Sequence, residues 1–306
     1  MSSSPFILYH YPASPFAEKV RLLIGCLGVC WQSVEVPIQP PRDQLAILAG
    51  GYRRIPVMQC GADIFCDTAV ICDEVISRAD RDLASCSEAA LALAQRAETD
   101  VFFAAIRQGS QLKTAIGLTM MLGFKGMLAF AKDRASFAQG HGPAAQTPDA
   151  ARSVFSSFLG DLDQMLASQS YLGGDAPCLS DFCCYHPIFL AQGFKSIKDS
   201  ALPAGVRAWM ARMAGFGWGQ YSAVSSDEAM AAAKAQEPSP LPEASADHPD
   251  LGQWVTVTPL DTGRVPVTGT LVSRSGGRIV VARRSEDVGL CHVHFPVSGF
   301  ECSVIN

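Results

Sequence analysis

Strand-like patterning is confined to the two ends of this 306-residue chain, and the long stretch between them carries only helical spacing. The fold must therefore join different architectures instead of repeating one unit. From Phe6 to about Ser77, short apolar runs alternate with helical periodicity. Phe6–His10 is a compact run, Ala17–Leu27 places Val20, Leu23, Ile24 and Leu27 on one helical face, and Trp31–Val36 alternates before Pro40-Pro41 breaks the chain. A short helix around Asp43–Leu48 and a turn at Gly50-Gly51 precede two brief strands, Pro56–Gln59 and Asp63–Phe65, joined by Cys60-Gly61-Ala62. Asp67 stands where an N-cap belongs, ahead of Ala69, Val70, Ile71 and Val75.

From Leu83 to about Gly219 strand signals disappear. Thr147-Pro148-Asp149 starts a helix with Val154, Phe155, Phe158, Leu159, Leu162, Met165 and Leu166 on one face; further helices hold Val101–Ile106 and Val206–Met213. The most apolar stretch, Ala115–Ala131, is interrupted by Gly117, Gly123, Lys125 and Gly126 and is at the short limit for a membrane span, so it reads as buried helix or pocket lining. An alanine-rich helical piece, Asp227–Gln236, then gives way to Glu237-Pro238-Ser239-Pro240-Leu241-Pro242, an extended linker. Beyond it lie five β-branched runs, Trp254–Thr258, Val265–Val272, Ile279–Ala282, Leu290–Phe295 and Cys302–Ile305, separated by glycine turns, as in a small barrel of the SH3 type. The expected layout is α/β plus all-α: an α/β domain over 1–80, a helical bundle over 83–222, a helix and linker over 223–250, and a small β-barrel over 251–306.

The formal charge of −5 is small for this length, and the Lys and Arg residues are scattered, which argues against a nucleic-acid partner. The start of the chain has neither the basic residues nor the apolar run of a signal peptide. The 11 cysteines fall in apolar stretches without a disulfide-like framework, so they read as reduced thiols of a cytoplasmic protein with no membrane span.

Three features of the first domain carry chemistry. Ser14-Pro15-Phe16-Ala17 follows a strand and opens a helix, where free backbone donors and the helix dipole stabilise an anion such as a thiolate. In Arg54-Ile55-Pro56-Val57, a cis X-Pro bond would turn the Ile55 backbone outward to pair with a peptide-like ligand. Asp67-Thr68, at a helix start, offers a carboxylate and a hydroxyl to an ammonium and a carboxylate. Tyr9 and Tyr11 are rival hydroxyls ranked below Ser14, because packing is the commoner fate of a strand tyrosine. Positions 14 and 17 lack the cysteines that thiol–disulfide exchange needs. His292 and His294 share a strand face, but two histidines make a poor metal site, and no metal is expected.

At these residues the sequence resembles the glutathione transferase superfamily. The aromatic strand, Ser14-Pro15-Phe16-Ala17, Glu18-Lys19-Val20-Arg21, Ile55-Pro56 and Asp67-Thr68 occur in the family's order, and Ser170–Gly174 with Leu179-Ser180-Asp181 continues the likeness, although Cys178 stands where the family has Ser or Thr. The resemblance implies a thioredoxin-like fold for residues 1–80 and glutathione as cosubstrate, with Ser14 donating to its sulfur and Ile55 pairing with its cysteinyl backbone. Asp67 and Thr68 would hold the γ-glutamyl end, Arg54 the glycyl carboxylate, and Phe16 and Pro56 complete the binding set. It further implies a detoxifying transferase acting on a small apolar electrophile, as a homodimer. Val101–Ile106 and Gly117–Phe124, with Met120 and Met121, are the candidate electrophile lining. Two other readings stay open: a non-catalytic glutathione-binding or protein-interaction module using the C-terminal strands, and an enzyme using the same cleft for a different thiol.

Overall fold

The run Phe6–His10 forms β1, and all five of its residues are buried, as befits a strand covered on both faces. The computed structural model describes residues 4–109, 111–138, 146–241 and 248–305, with backbone alone at 111–114, 118 and 121. Helix α1 (Pro15–Leu27) starts at Ser14 and stops at Gly28, whose φ of 70° suits glycine. Then β2 (Trp31–Glu35) lies parallel to β1. Helix α2 (Asp43–Ala49), strands β3 (Val57–Cys60) and β4 (Asp63–Cys66) and helix α3 (Thr68–Ser77) complete the thioredoxin-like unit, with β3 antiparallel to both β1 and β4.

The helical part contains α4 (Glu88–Glu98), α5 (Asp100–Arg107), α6 (Gln111–Ala138), α7 (Pro148–Met165), α8 (Leu179–Gly193) and α9 (Ala204–Ala214). As the sequence predicts, Thr147 caps α7: its hydroxyl accepts from Ala150 N–H at 3.2 Å, and Phe155, Phe158, Leu159 and Leu162 are buried along one face. At the start of α8, the buried Asp181 carboxylate accepts from Cys178 N–H (2.9 Å), Leu172 N–H (2.8 Å) and Trp209 Nε1–H (2.8 Å), a structural role that survives the cysteine at the cap.

The apolar α6 departs from expectation. Its backbone leaves helical geometry at Gly123 (φ 71°, ψ 167°), and Ile116, Met120, Phe124 and Leu128 lie on the surface, Met120 at 84% exposure. Met120 and Phe124 therefore do not fill the core; the Met121 side chain is outside the described residues. An apolar run signals burial only if something packs on it, and among the described residues these four side chains stay at least half exposed.

After α9 the chain returns to the sheet. Strand β5 (Tyr221–Ala223) pairs parallel with β2, and α10 (Ser226–Lys234) starts from a Ser225/Glu228 capping box. Strands β6 (Trp254–Pro259), β7 (Val267–Ser275), β8 (Arg278–Ser285), β9 (Gly289–Pro296) and β10 (Phe300–Val304) occupy the five expected β runs. They are not isolated from the first unit. Strand β9 runs parallel against β4, pairing Asp63 with His292, Ile64 with Val293 and Phe65 with His294. Among the described residues, ten strands form one sheet in the order β10-β6-β7-β8-β9-β4-β3-β1-β2-β5.

The two faces of the first unit have different partners. On one, Leu8, Val20, Leu23, Phe65 and Ile71 join Phe155, Phe182 and Trp209 of the helical part. On the other, Ile7, Tyr9, Val34, Leu48 and Ile64 join Ala229 and Ala233 of α10 and Val255, Leu271, Val281, Val293 and Phe295 of the C-terminal strands. Among the described residues, no helix is long and apolar enough to cross a membrane.

Candidate functional site

Tyr9, Val57 and Cys66 are neighbours in one row across β1, β3 and β4. Just beyond that row three chain segments emerge at the same end of the sheet: the turn from β1 to Ser14, the approach to β3 through Arg54, Ile55 and Pro56, and the step from β4 into Asp67 and Thr68. The N-termini of α1 and α3 thus open toward one place, where two sets of backbone donors favour anionic groups.

Ser14 is the buried N-cap of α1. Its Oγ accepts from Ala17 N–H at 3.2 Å, its own N–H donates to Tyr11 O at 3.0 Å, and among the described residues its hydroxyl hydrogen has no acceptor. Pro15 occupies the first helical turn, where its missing N–H costs nothing. The rival Tyr9 is committed elsewhere, since its hydroxyl donates to Gln59 Oε1 at 2.6 Å in the sheet core. Burial raises the Tyr9 phenol far above its ordinary value. Phe16 leaves the turn toward the helical part, its ring 4.7 Å from those of Phe102 and His186.

The Ile55–Pro56 bond is cis, as predicted, and Ile55 lies outside the strand ladder, which begins at Val57. Asp67 adopts φ 96°, a conformation L-residues rarely take and one that clusters at functional sites. Its carboxylate accepts from Ala69 N–H at 3.0 Å and lies 3.7 Å from the Arg54 guanidinium. Burial pushes the Asp67 carboxyl above its usual range, against the Ala69 N–H, Lys19 and Arg54, which pull the other way. Thr68 is buried at the first position of α3.

Residues 8–82 match the family model described as glutathione S-transferase, N-terminal domain. The chain is also similar to a GST-like protein from Pseudomonas syringae, at 29% identity over 98% of this chain and 99% of that one, with a TM-score of 0.73. Residues 8–82 thus form a glutathione S-transferase N-terminal domain, within a chain similar over nearly its whole length to a GST-like protein. That near-complete overlap takes in the C-terminal strands. Two further solved structures share 68% of this chain: a glutathione S-transferase domain-containing protein from Marinobacter aquaeolei VT8 (20% identity, 97% of that chain, TM-score 0.43) and Gtt2 from Saccharomyces cerevisiae (16%, 95%, 0.45). No curated protein matches the chain.

The roles of two residues near the site escaped the sequence reading. Arg21, fully buried in α1, donates to Tyr11 O (3.2 Å), Pro12 O (2.8 Å) and His10 Nδ1 (2.8 Å), and pairs with Glu18 at 2.6 Å. It therefore holds the turn that presents Ser14, and Trp218 closes over it, 4.2 Å from the guanidinium carbon. The available signal was a charge inside the apolar run Val20-Arg21-Leu22. The other is Asp261, which reaches Arg54 from the turn after β6; Asp261-Thr262-Gly263 had signalled only a turn. His292 and His294 serve the β4–β9 seam: His294 Nε2 is 2.9 Å from Asp63 Oδ1, and Ser239 N–H donates to Asp63 Oδ2 at 2.9 Å. Among the described residues, no group of three or more His, Cys, Asp or Glu is arranged to hold a metal ion.

Proposed function

We propose that the chain is a glutathione transferase that activates the glutathione thiol for attack on a small apolar electrophile, with Ser14 as the donor to sulfur. The observation that carries this reading is Ser14 itself: a hydroxyl whose hydrogen has no acceptor among the described residues, fixed at the N-terminus of a 13-residue helix. The donor set beside it suits a γ-glutamyl peptide. Ile55 presents main-chain groups outside the ladder, Pro56 shapes that segment, Asp67 supplies a carboxylate for an ammonium, and Thr68 offers a hydroxyl at the start of α3. Glutathione, when bound, supplies the nucleophilic sulfur. Ser14 and the α1 dipole favour its ionised form, so that a thiol of ordinary pKa near ~8.5 is more ionised at neutral pH. Phe16 and Phe102, whose rings meet between the two parts of the chain, are the apolar surface we assign to the electrophile.

All 11 cysteines are free thiols, in keeping with the cytoplasmic setting we propose for a detoxifying homodimer, the usual assembly of the superfamily. Calorimetric titration with glutathione tests the cosubstrate: saturable binding weakened by Asp67→Ala is expected, and no binding at millimolar glutathione overturns the reading. Ser14→Ala tests the donor. Loss of that hydrogen bond to a thiolate costs about 1.5–3 kcal/mol, so turnover falls roughly tenfold or more, and a change within about threefold removes Ser14 from its role. A second reading, a binding module without turnover, is favoured by the exposed apolar pair Trp254, at the start of β6, and Ile305, just past the end of β10, whose N–H donates to Trp254 O. Retained glutathione binding without conjugation of any apolar electrophile is the outcome that selects it.

A further inference from the structure

The segment that links α3 to α4 lies against the turn that opens α8. Ala84 forms a parallel bridge with Cys178, and Ala84 N–H donates to Pro177 O at 3.0 Å. The packing there is close: a Cβ on Gly173 would meet the Cβ of Ala84 at 2.7 Å and that of Cys178 at 3.0 Å. Two residues beyond Ala84 comes Cys86, whose sulfur accepts from the Ser180 hydroxyl, in the first turn of α8, at 3.3 Å.

Two thiols from remote parts of the chain therefore share one site. The Cys86 and Cys178 side chains are hydrogen-bond partners, and burial, that bond and the charge of Asp181 together push the Cys178 thiol up to about 12. The sulfurs differ in access. Cys178 is fully buried, whereas Cys86 is half-buried between the exposed Ser85 and Ser87. A reagent in solution reaches Cys86 first.

We propose that Cys86 and Cys178 are a reversible oxidation site, closing to an intramolecular disulfide in exchange with a small soluble disulfide such as glutathione disulfide and so tying the α3–α4 link to the start of α8. In the first step the Cys86 thiolate attacks one sulfur of the small disulfide; a mixed disulfide forms and one small thiolate leaves. In the second, the Cys178 sulfur attacks the Cys86 sulfur, the bond to the remaining small thiol breaks, and the Cys178 proton leaves with it. The protein gives up two electrons and two protons, and the small disulfide becomes two thiols. Because Cys178 is already in contact, the second step is intramolecular, which offsets its high pKa. Bonding needs the sulfurs to close from hydrogen-bond contact to about 2.05 Å, a movement open to Cys86 because its segment lies outside any helix. The exchange uses none of Ser14, Ile55 or Asp67 and is independent of the transferase reading.

Incubating the reduced full chain with glutathione disulfide, alkylating the remaining thiols and locating the bonds by fragmentation mass spectrometry tests this in the parent, Cys86→Ser and Cys178→Ser. Serine keeps the small size at both positions and suits the helix cap at 178, and circular dichroism checks each fold. The parent is expected to give peptides joined between Cys86 and Cys178, with two hydrogens lost, which dithiothreitol separates. Cys178→Ser is expected to stop at a glutathionyl group on Cys86, and Cys86→Ser to leave Cys178 unmodified. Joining the two residues closes a long loop in the unfolded chain, so the oxidised parent is expected to melt several degrees above the reduced one. A parent in which Cys86 stays reduced, ends as the mixed disulfide or pairs with another cysteine overturns the proposal, and a thermal midpoint that does not rise on oxidation overturns the tie between the two segments.

Discussion

Arg21 keeps a charge inside the protein because every direction it faces supplies an acceptor or an aromatic ring: Glu18, His10, two main-chain carbonyls and Trp218. Replacing it with Met leaves Glu18 buried without its cation and frees the Tyr11–Pro12 turn. We expect a loss of about 3–5 kcal/mol in urea unfolding, with glutathione binding impaired even where the variant folds. Two histidines make stability depend on pH. Burial, aided by Arg21, lowers His10 to about 4; burial, aided by Lys19, lowers His186 to about 3. The unfolded chain takes up these protons near pH 6.5, before the folded one can. Stability is therefore flat above that value and falls as pH drops from about 6.5 toward 4 and 3, by about 1 kcal/mol per histidine between pH 7 and 5.5. Urea midpoints across this range check the slope. Neither ring nitrogen of His186 has a hydrogen-bond partner among the described residues. His186→Phe, in a site beside the Phe16 and Phe102 rings, is expected to flatten part of the dependence without loss of stability at pH 7.

Helix α1 does two jobs, presenting Ser14 at one end and packing along its length against the segment returning from α9. A Cβ on Gly25 would sit 2.3 Å from Gly217 O and 2.7 Å from Phe216 O, both main-chain atoms. Gly25→Ala is expected to push the two segments apart and lower the thermal midpoint by several degrees, the effect of about 1–3 kcal/mol of overpacking. Elements of this kind were legible where their signals are local. Ser14, Asp67 and Thr147 each cap their own helix, and Pro56 marks the entry to a strand, so the meeting of Ser14, Ile55 and Asp67 at one sheet end followed from the order of strands and helices. Signals failed where the partner is remote. Nothing near Ile64 tells that Val293 pairs beside it, nothing near Gln32 announces Ser222, and Asp261 reads as a turn residue until Arg54 is seen opposite. The α6 run misled for the same reason. Its residues are apolar enough for a core, but burial depends on a neighbour that local sequence does not specify.

At the scale of the whole molecule, the C-terminal strands share the buried layer that also holds Ile7, Tyr9, Val34 and Ile64. Removing residues 248–306 would uncover that layer and leave β4 as an unpaired edge. The truncated chain is expected to aggregate, whereas the full chain should lose its C-terminal and N-terminal tryptophan signals in one transition; a separate early melt of the last strands would show that the shared layer contributes little. The Asp63–His294 contact has a further consequence, since its two residues stand 231 positions apart. During synthesis the first strands leave the ribosome long before β9 exists, so for most of translation β4 has an open flank and one side of the sheet lacks its cover. Such late closure raises the contact order and slows folding. It makes the newborn chain a natural client for chaperones, and cells short of them should accumulate this protein in inclusion bodies even when its mature form is stable.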